Sequence, residues 1–111
     1  MAEYTFQIIT TGGVVFDGPA ECVSAPGWDG SLGVLSGHAP MICGTHHGAV
    51  TIQAGGTTVF FAASEGVLEV RRDKVLLLTP WAEKAATLEA ARQGALESKR
   101  REGAARQPAK S

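Results

Sequence analysis

The sequence of 111 residues has no long apolar run. No stretch approaches the ~18 consecutive apolar residues that a membrane-spanning helix requires. Its first residues also lack the basic-then-apolar order of a secretory signal, so we expect the chain to stay in a cytosol-like compartment. Aromatic residues make up 6% and charged residues 19%, whereas 44% are hydrophobic. These proportions exclude a disordered chain and are sufficient for one domain with a true core.

Cysteine is also scarce. The chain has two, Cys22 and Cys43, without the CxxC spacing of a metal or redox site and without the density of a disulfide scaffold. Each lies among mainly apolar and small residues, which favours small core residues with free thiols. A disulfide between them is the alternative.

Catalytic motifs are missing as well. The sequence contains no GxxxxGK[ST] phosphate loop, no GxSxG elbow and no HExxH pair. His46 and His47 are adjacent, and on a strand they would point to opposite faces and could not share a metal ion. His38 follows Asp29 in a loop, but no nucleophile or second acid accompanies it. Cys43 is interpreted as a core residue. We therefore predict no catalytic residue and no bound metal or cofactor.

Charge is unevenly distributed although the total is −1. Up to Thr79 seven acids face three bases, a net −4, whereas from Pro80 onward four acids face seven bases, a net +3. The bases of the second part are interleaved with acids and have no aromatic residues between them, so they indicate a solvated helix face. We predict no nucleic-acid partner.

From Tyr4 to Thr79 the apolar residues alternate with period two and are interrupted by turn residues, which predicts eight to nine short strands. The segment Ala54-Gly55-Gly56-Thr57 is the strongest hairpin signal. We also expect Met41–Thr45 to pair with Gly48–Ala54 across His46-His47. Crossover helices have no room here, so the pattern predicts a mainly β fold, an antiparallel β-sandwich or flattened barrel over residues 1–80.

After Pro80 the pattern changes to that of a helix. The segment from Trp81 to Arg92 is rich in helix formers, and Trp81, Leu88 and Ala95 recur every seven residues, with Leu96 beside them. Residues 81–111 are thus predicted to form one short helix and, from Gly103, a frayed tail. Such a thin apolar stripe requires docking on the sandwich or on a partner.

Two stretches together resemble the epsilon subunit of F-type ATP synthases. The segment from Asp29 to Pro40, DGSLGVLSGHAP, is similar to the family's G-x-L-G-[hydrophobic]-x-x-G-H-A-P, and Ser64-Glu65-Gly66-Val67-Leu68-Glu69-Val70 is similar to its S-G-G-x-[hydrophobic]-E-V. The resemblance extends from the first strand to about Arg101. It implies an N-terminal β-sandwich of about ten strands followed by C-terminal helices.

The resemblance also implies a function. The family's epsilon subunit is a non-catalytic part of the central stalk that binds the gamma subunit, rests on the membrane rotor ring of c subunits and couples proton flow to ATP synthesis. We accordingly expect gamma and the ring as partners and the alpha and beta subunits as transient ones. Association with the membrane would be through the complex only, at the cytoplasmic face of the bacterial inner membrane.

Individual residues follow from the same resemblance. It implies ring contacts for Asp29, Ser31 and His38, and gamma contacts for His38, Met41 and Ser64. Ser31 stands where many members carry an acid, and Glu65 replaces the first glycine of the S-G-G stretch.

The C-terminal part departs further from the family. The usual two-helix hairpin is shortened, so we expect a limited or absent inhibitory role. Some bacterial members bind ATP through [IL]-D-x-x-R-A, of which only Leu88 and Arg92 are matched here, so we predict weak or no ATP binding.

Two other classes of function stay open from the residues alone. Trp28 and Trp81 would suit a ligand- or carbohydrate-binding β-sandwich, in which aromatic rings stack on sugar faces. His38, His46, His47 and Cys43 would suit a small metal-dependent enzyme, which ranks last.

Overall fold

The fold is known from a computed structural model, which describes residues 2–106 and the side chains as far as residue 103. The described part contains ten strands and one helix. In chain order they are β1 (Tyr4–Thr10), β2 (Gly13–Ala20), β3 (Cys22–Gly27), β4 (Gly30–Leu35), β5 (Met41–Thr45), β6 (Gly48–Ala54), β7 (Thr57–Ala63), β8 (Gly66–Val70), β9 (Lys74–Leu78), β10 (Ala82–Ala85) and α1 (Leu88–Arg106). The predicted mainly β fold with a C-terminal helix is confirmed.

The strands follow one another by hydrogen bonding in the order β10-β7-β6-β3-β5-β8-β9-β1-β2, with β4 paired to β3. This continuous sheet folds over into a nearly closed sandwich, with β10, β7 and β6 in one layer and β5, β8, β9, β1 and β2 in the other. One ladder departs from the predicted antiparallel pairing, because β1 and β9 run parallel, with Phe6 opposite Val75. The crossover that a parallel pair requires is supplied by the intervening strands rather than by a helix.

The predicted hairpin of β5 with β6 is wrong. β5 pairs with β8 along its length, from Met41 opposite Val70 to Thr45 opposite Gly66. β6 pairs instead with β3 and β7. The dipeptide His46-His47 therefore carries the chain from one layer of the sandwich to the other, which a local alternation of apolar residues does not reveal.

The hairpin predicted at Gly55-Gly56 is confirmed. β6 ends at Ala54, β7 begins at Thr57, and the two strands stay in register up to that pair. Gly55 and Gly56 have φ angles of 56° and 78°. Two consecutive positive φ angles define the tight turn that suits the twist of an antiparallel pair, and glycine adopts them without strain.

The core lies between the two layers. Its fully buried side chains come from the inward faces of strands in both layers, and the largest are Phe6, Ile8, Ile52, Leu68 and Leu77. Val23 and Val34 contribute from the β3–β4 pair. Burial of apolar surface of this kind is the main stabilising contribution, so the sandwich is the rigid scaffold of the molecule.

The C-terminal segment differs from its prediction. Residues 82–85 form β10 against β7, and the helix begins at Leu88 rather than at Trp81. Thr87 caps the helix, because its Oγ1 accepts a hydrogen bond from the backbone N–H of Ala90 at 3.0 Å. The division of the chain after residue 80 stays a prediction.

α1 docks on the sandwich through small residues. Ala91 and Ala95 are buried against Ala62 of β7, whereas Leu96, predicted to lie on the apolar stripe, is 55% exposed. The helix continues through Gly103, where a frayed tail was predicted, and residues 107–111 of that tail lie outside the described residues. Close approach of two alanine faces leaves little room for a larger side chain between helix and sheet.

Candidate functional site

A row of apolar side chains crosses the outer face of the β5-β8-β9-β1-β2 layer. Cross-strand partners follow one another from Gly44 through Val67, Leu78 and Ile9 to Val14. Because paired residues of neighbouring strands point to the same face, these side chains line up outside the core. Val67 and Leu78 are each 41% exposed and Val14 is 55% exposed. This outer apolar row spans roughly 19 Å, four interstrand spacings.

The neighbouring row on the same face is mixed. Ile42 is 71% exposed, and its cross-strand partner is Glu69. Glu69 forms a salt bridge with Arg71, in which the guanidinium Nε lies 3.0 Å from the carboxylate Oε2. The hydrogen bond and charge of Glu69 raise the pKa of the Arg71 guanidinium. At the other end, Asp17 accepts a hydrogen bond from the Gln7 amide at 3.1 Å. The carboxylates of Glu69 and Asp17 are thus already partnered within the chain.

The tip of the β3–β4 hairpin projects polar groups. Asp29 and Ser31, two of the predicted ring contacts, are exposed at this tip, beside the exposed Trp28. Gly27 and Gly30 close the hairpin as its last cross-strand pair, and Gly30 has a φ of 126°, which favours glycine. The tip therefore presents a compact polar loop fixed on the rigid sandwich.

His38, the third predicted ring contact, lies at the opposite end of β4. Its backbone N–H donates to the carbonyl of Leu35, the last residue of that strand, and its Nδ1 lies 2.9 Å from the carbonyl oxygen of Ala39. β4 separates the two ends by roughly 17 Å, five strand rises. His38 instead lies close to Met41, since both flank the Arg71-Arg72 turn. The structure thus separates His38 from Asp29 and Ser31, whereas Met41 also lines a groove that contains Asp29 and Ser31.

Ser64, predicted to contact gamma, is 1% exposed. Its hydroxyl lies 2.8 Å from the Thr79 hydroxyl and accepts a hydrogen bond from the backbone N–H of Trp81 at 3.0 Å. Thr79 Oγ1 in turn lies 2.9 Å from the Ser64 carbonyl. The Ser64 side chain is therefore part of an internal network that joins β7, β9 and β10. A contact between Ser64 and gamma stays a prediction, and it would require that network to open.

An open groove of about 570 Å³ lies between α1 and the ends of β3 and β6. Its lining includes His46, His47, Leu88 and Arg92, so the two matched positions of the ATP-binding motif do face one cavity. Among the described residues no three His, Cys, Asp or Glu side chains are placed to hold a metal ion. His47 is engaged with Glu102 at 3.1 Å.

Both cysteines are free thiols of intermediate burial, so the alternative of a disulfide is wrong. Cys43 packs against the core, as predicted. Burial, with a smaller contribution from the charge of Asp29, raises the pKa of the Cys43 thiol. A raised pKa favours the neutral thiol, which is a poor nucleophile.

These features define a small β-sandwich domain with an appended helix. The family model of the ATP synthase delta/epsilon chain β-sandwich domain matches residues 3–85. An ATP synthase epsilon chain of Anoxybacillus flavithermus is 42% identical over 86 residues, covering 78% of this chain and 64% of that relative. One from Priestia megaterium is 40% identical over 95 residues, covering 86% of this chain and 69% of the relative.

The chain belongs to the ATP synthase delta/epsilon chain family, which confirms the resemblance found in the sequence. It spans about two thirds of the length of these relatives.

Solved structures share the fold. A chain of the Euglena gracilis mitochondrial ATP synthase, in a structure with OSCP, F1 and c-ring, superposes with a TM-score of 0.72 at 20% identity, covering 99% of this chain and 70% of that one. A chain of the Tetrahymena thermophila central stalk and c-ring gives 0.59 at 13% identity, covering 88% and 89%. At such identities the likeness concerns the fold. Within residues 2–106 no helix is long and apolar enough to cross a membrane.

The outer apolar row was missed by reasoning from the sequence alone. Its signal is present, since Ile9, Val67 and Leu78 put large apolar residues on the face that should be polar in a strand with one buried side. Those residues come from strands distant in sequence. Only the strand order brings them side by side.

Proposed function

We propose that this chain is a non-catalytic rotor subunit of an F-type ATP synthase, which joins the gamma subunit to the membrane ring of c subunits. Through that link, rotation of the ring by proton flow drives gamma and hence ATP synthesis. Membership of the delta/epsilon family supports the role. The observation that carries it is the outer apolar row, a rigid apolar face outside the core.

The outer apolar row suits a protein partner. Soluble monomers rarely expose large contiguous apolar patches, and those that do occur commonly mark interaction sites. Val67, Leu78 and Val14 lie on hydrogen-bonded strands, so they are held in place before any partner arrives. We assign this face to gamma, whose binding would cover it, with His38 and Met41 as a second contact region at the far end of β4.

The polar tip of the β3–β4 hairpin suits the ring. Asp29 and Ser31 are exposed and stand on a short hairpin, so they can meet polar loops without moving the core. Since His38 is separated from them by the length of β4, we assign the ring contact chiefly to Asp29 and Ser31. The ring contact of His38 stays a prediction.

The complex would hold this chain as a peripheral subunit at the cytoplasmic face of the bacterial inner membrane, with the alpha and beta subunits as transient neighbours. A carbohydrate-binding module is not favoured. Trp28 lies at the β3–β4 tip, whereas Trp81 follows β9 and packs beside the α1 contact with Ala62, so the two rings belong to different elements.

The test is purification of the tagged full chain from gently solubilised native membranes, followed by mass spectrometry. We expect gamma, alpha, beta and the ring subunit in stable proportion. Val67→Asp, which puts a charge in the outer apolar row, should release gamma. Thr58→Asp, a change at an exposed position on β7 in the other layer, should not. Recovery of the wild-type chain without any ATP synthase subunit would refute the proposal.

A further inference from the structure

Trp28 extends the outer apolar row across its β5 end. Trp28 is 62% exposed, and its backbone N–H donates a hydrogen bond to the Gly44 carbonyl at 3.0 Å. The ring lies directly over Gly44, where a Cβ atom would collide with the indole. Gly44 is the residue opposite Val67, so the indole occupies the place that a β5 side chain would fill in the row.

The position of Trp28 is fixed by the strands around it. Gly44 lies in β5, which is paired to β8 over five positions, and the tight hairpin closed by Gly27 and Gly30 fixes the backbone next to Trp28. An aromatic ring placed in this way loses little conformational entropy on binding, and pre-organisation of that kind raises affinity. Tryptophan is also the residue type most enriched among the side chains that dominate binding energy.

Charge indicates what kind of surface the row accepts. Two carboxylates in the neighbouring row, Glu69 and Asp17, are partnered by Arg71 and Gln7 within the chain. The row itself, from Trp28 through Val67 and Leu78, carries no ionisable side chain. With its roughly 19 Å length, it fits an apolar face on a protein partner rather than a charged ligand.

We infer that Trp28, seated on Gly44, is the anchor of the gamma interface, although it lies in the hairpin whose polar tip we assign to the ring. This inference rests on the proposed function. The hairpin then serves two partners from adjacent residues, the indole of Trp28 toward gamma and the carboxylate of Asp29 toward the ring. Trp28 sets the affinity for gamma, and Asp29 contributes little to it.

The experiment measures the affinity of the full chain for recombinant gamma of the same organism by calorimetry. Trp28→Ala should weaken binding by about tenfold or more, the effect expected of a dominant contact. Leu96→Ala, which removes a side chain of similar exposure on α1, is the matched control and should change the affinity by less than about twofold. Gly44→Ala should weaken binding with Trp28 still present, because the added methyl displaces the ring.

Thermal unfolding of each variant shows whether it is folded. If Gly44→Ala does not fold, Trp28→Ala, which changes an exposed side chain, still tests the inference. Tryptophan fluorescence gives a second readout: gamma should shift the emission of the wild type and shift that of Trp28→Phe far less. If the wild type binds gamma and Trp28→Ala binds it equally well, the anchor is refuted while the proposed function stands. If the wild type does not bind gamma at all, the proposed function fails and the anchor fails with it.

Discussion

His47 Nε2 lies 3.1 Å from Glu102 Oε2 and so joins the crossing between β5 and β6 to the last turns of α1. The contact is partly shielded, because the side chains are 12% and 28% exposed. Ser98, one turn earlier on the same helix face, has its hydroxyl 3.4 Å from the same carboxylate oxygen. The helix is thus held at two places, by Ala91 and Ala95 near its start and by Glu102 near its end.

Glu102→Ala should loosen only the second half of α1. A partly buried hydrogen bond to a charged group contributes about 1.5 kcal/mol, and the alanine contacts nearer the start of the helix do not depend on it. We expect faster amide hydrogen exchange beyond Leu96 and unchanged exchange before Ala95, measured on the full chain. Glu97→Ala is the control, since the partners of Glu97, Arg100 and Arg101, lie on the same helix. Uniform acceleration along the whole helix would contradict this two-point attachment.

Tyr4 should ionise only in strongly alkaline solution. Burial, with a smaller contribution from Cys22, raises the pKa of the Tyr4 phenol to about 12. The phenol also donates a 2.6 Å hydrogen bond to the Val34 carbonyl. Tyr4 is the one tyrosine of the chain, so ultraviolet absorbance reports it without interference from a second phenol. The titration should show a midpoint near pH 12 when the chain is folded and near the ordinary tyrosine pKa of 10.0 in denaturant.

The free energy of unfolding should depend on pH because of the same shift in the Tyr4 pKa. Because the folded pKa is the higher one, the unfolded chain loses the phenolic proton first. The contribution of Tyr4 is therefore complete below pH 10 and decreases as the pH rises toward 12. Tyr4→Phe removes this alkaline dependence and costs about 1 kcal/mol at neutral pH, because the Val34 carbonyl loses its partner. Equal alkaline sensitivity of Tyr4→Phe and wild type, by denaturant titration, would show that other groups are responsible.

Much of the fold could be predicted from local pattern. Two consecutive glycines between alternating apolar runs predict the hairpin, and the positive φ angles of Gly55 and Gly56 agree with it. β10 could not be found in this way. Its four residues, AEKA, have helix propensity, and pairing with Phe60–Ala63 of β7 overrides that preference.

The candidate site was less accessible to sequence reasoning. Asp29 and Ser31 proved exposed at one hairpin tip, as a Gly-bounded polar loop suggests. Ser64 lies between an apolar strand and an exposed Glu65, and burial at that position depends on Thr79 and the Trp81 backbone, both more than a dozen residues away. Contacts between residues so far apart in the sequence cannot be recognised from the residues next to Ser64.

Removal of the Ser64–Thr79 pair should destabilise the sandwich. Ser64→Ala leaves the Thr79 hydroxyl and the Trp81 N–H with fewer partners in a buried region, a loss of about 1–3 kcal/mol. Thr79→Val keeps the shape and removes the other hydroxyl, with a similar cost. The double variant should lose clearly less than the sum of the two, because the residues share one network. Denaturant unfolding of all four proteins measures this, and strict additivity would contradict the network.

ATP should bind weakly or not at all to the wild-type chain. Leu88 and Arg92 line the groove under α1, but the aspartate that the family's motif places after the first of them is Glu89, which is exposed in the first helical turn and is not part of the groove lining. We expect calorimetry to give a Kd no tighter than about 1 mM. The double variant Glu89→Asp, Gln93→Ala restores the motif around Arg92. If those two positions are what the site lacks, it should bind ATP at least about tenfold more tightly, and Arg92→Ala in that background should abolish the gain. A micromolar Kd for the wild type would show that the groove, with His46 and His47 opposite Arg92, recognises ATP without the motif.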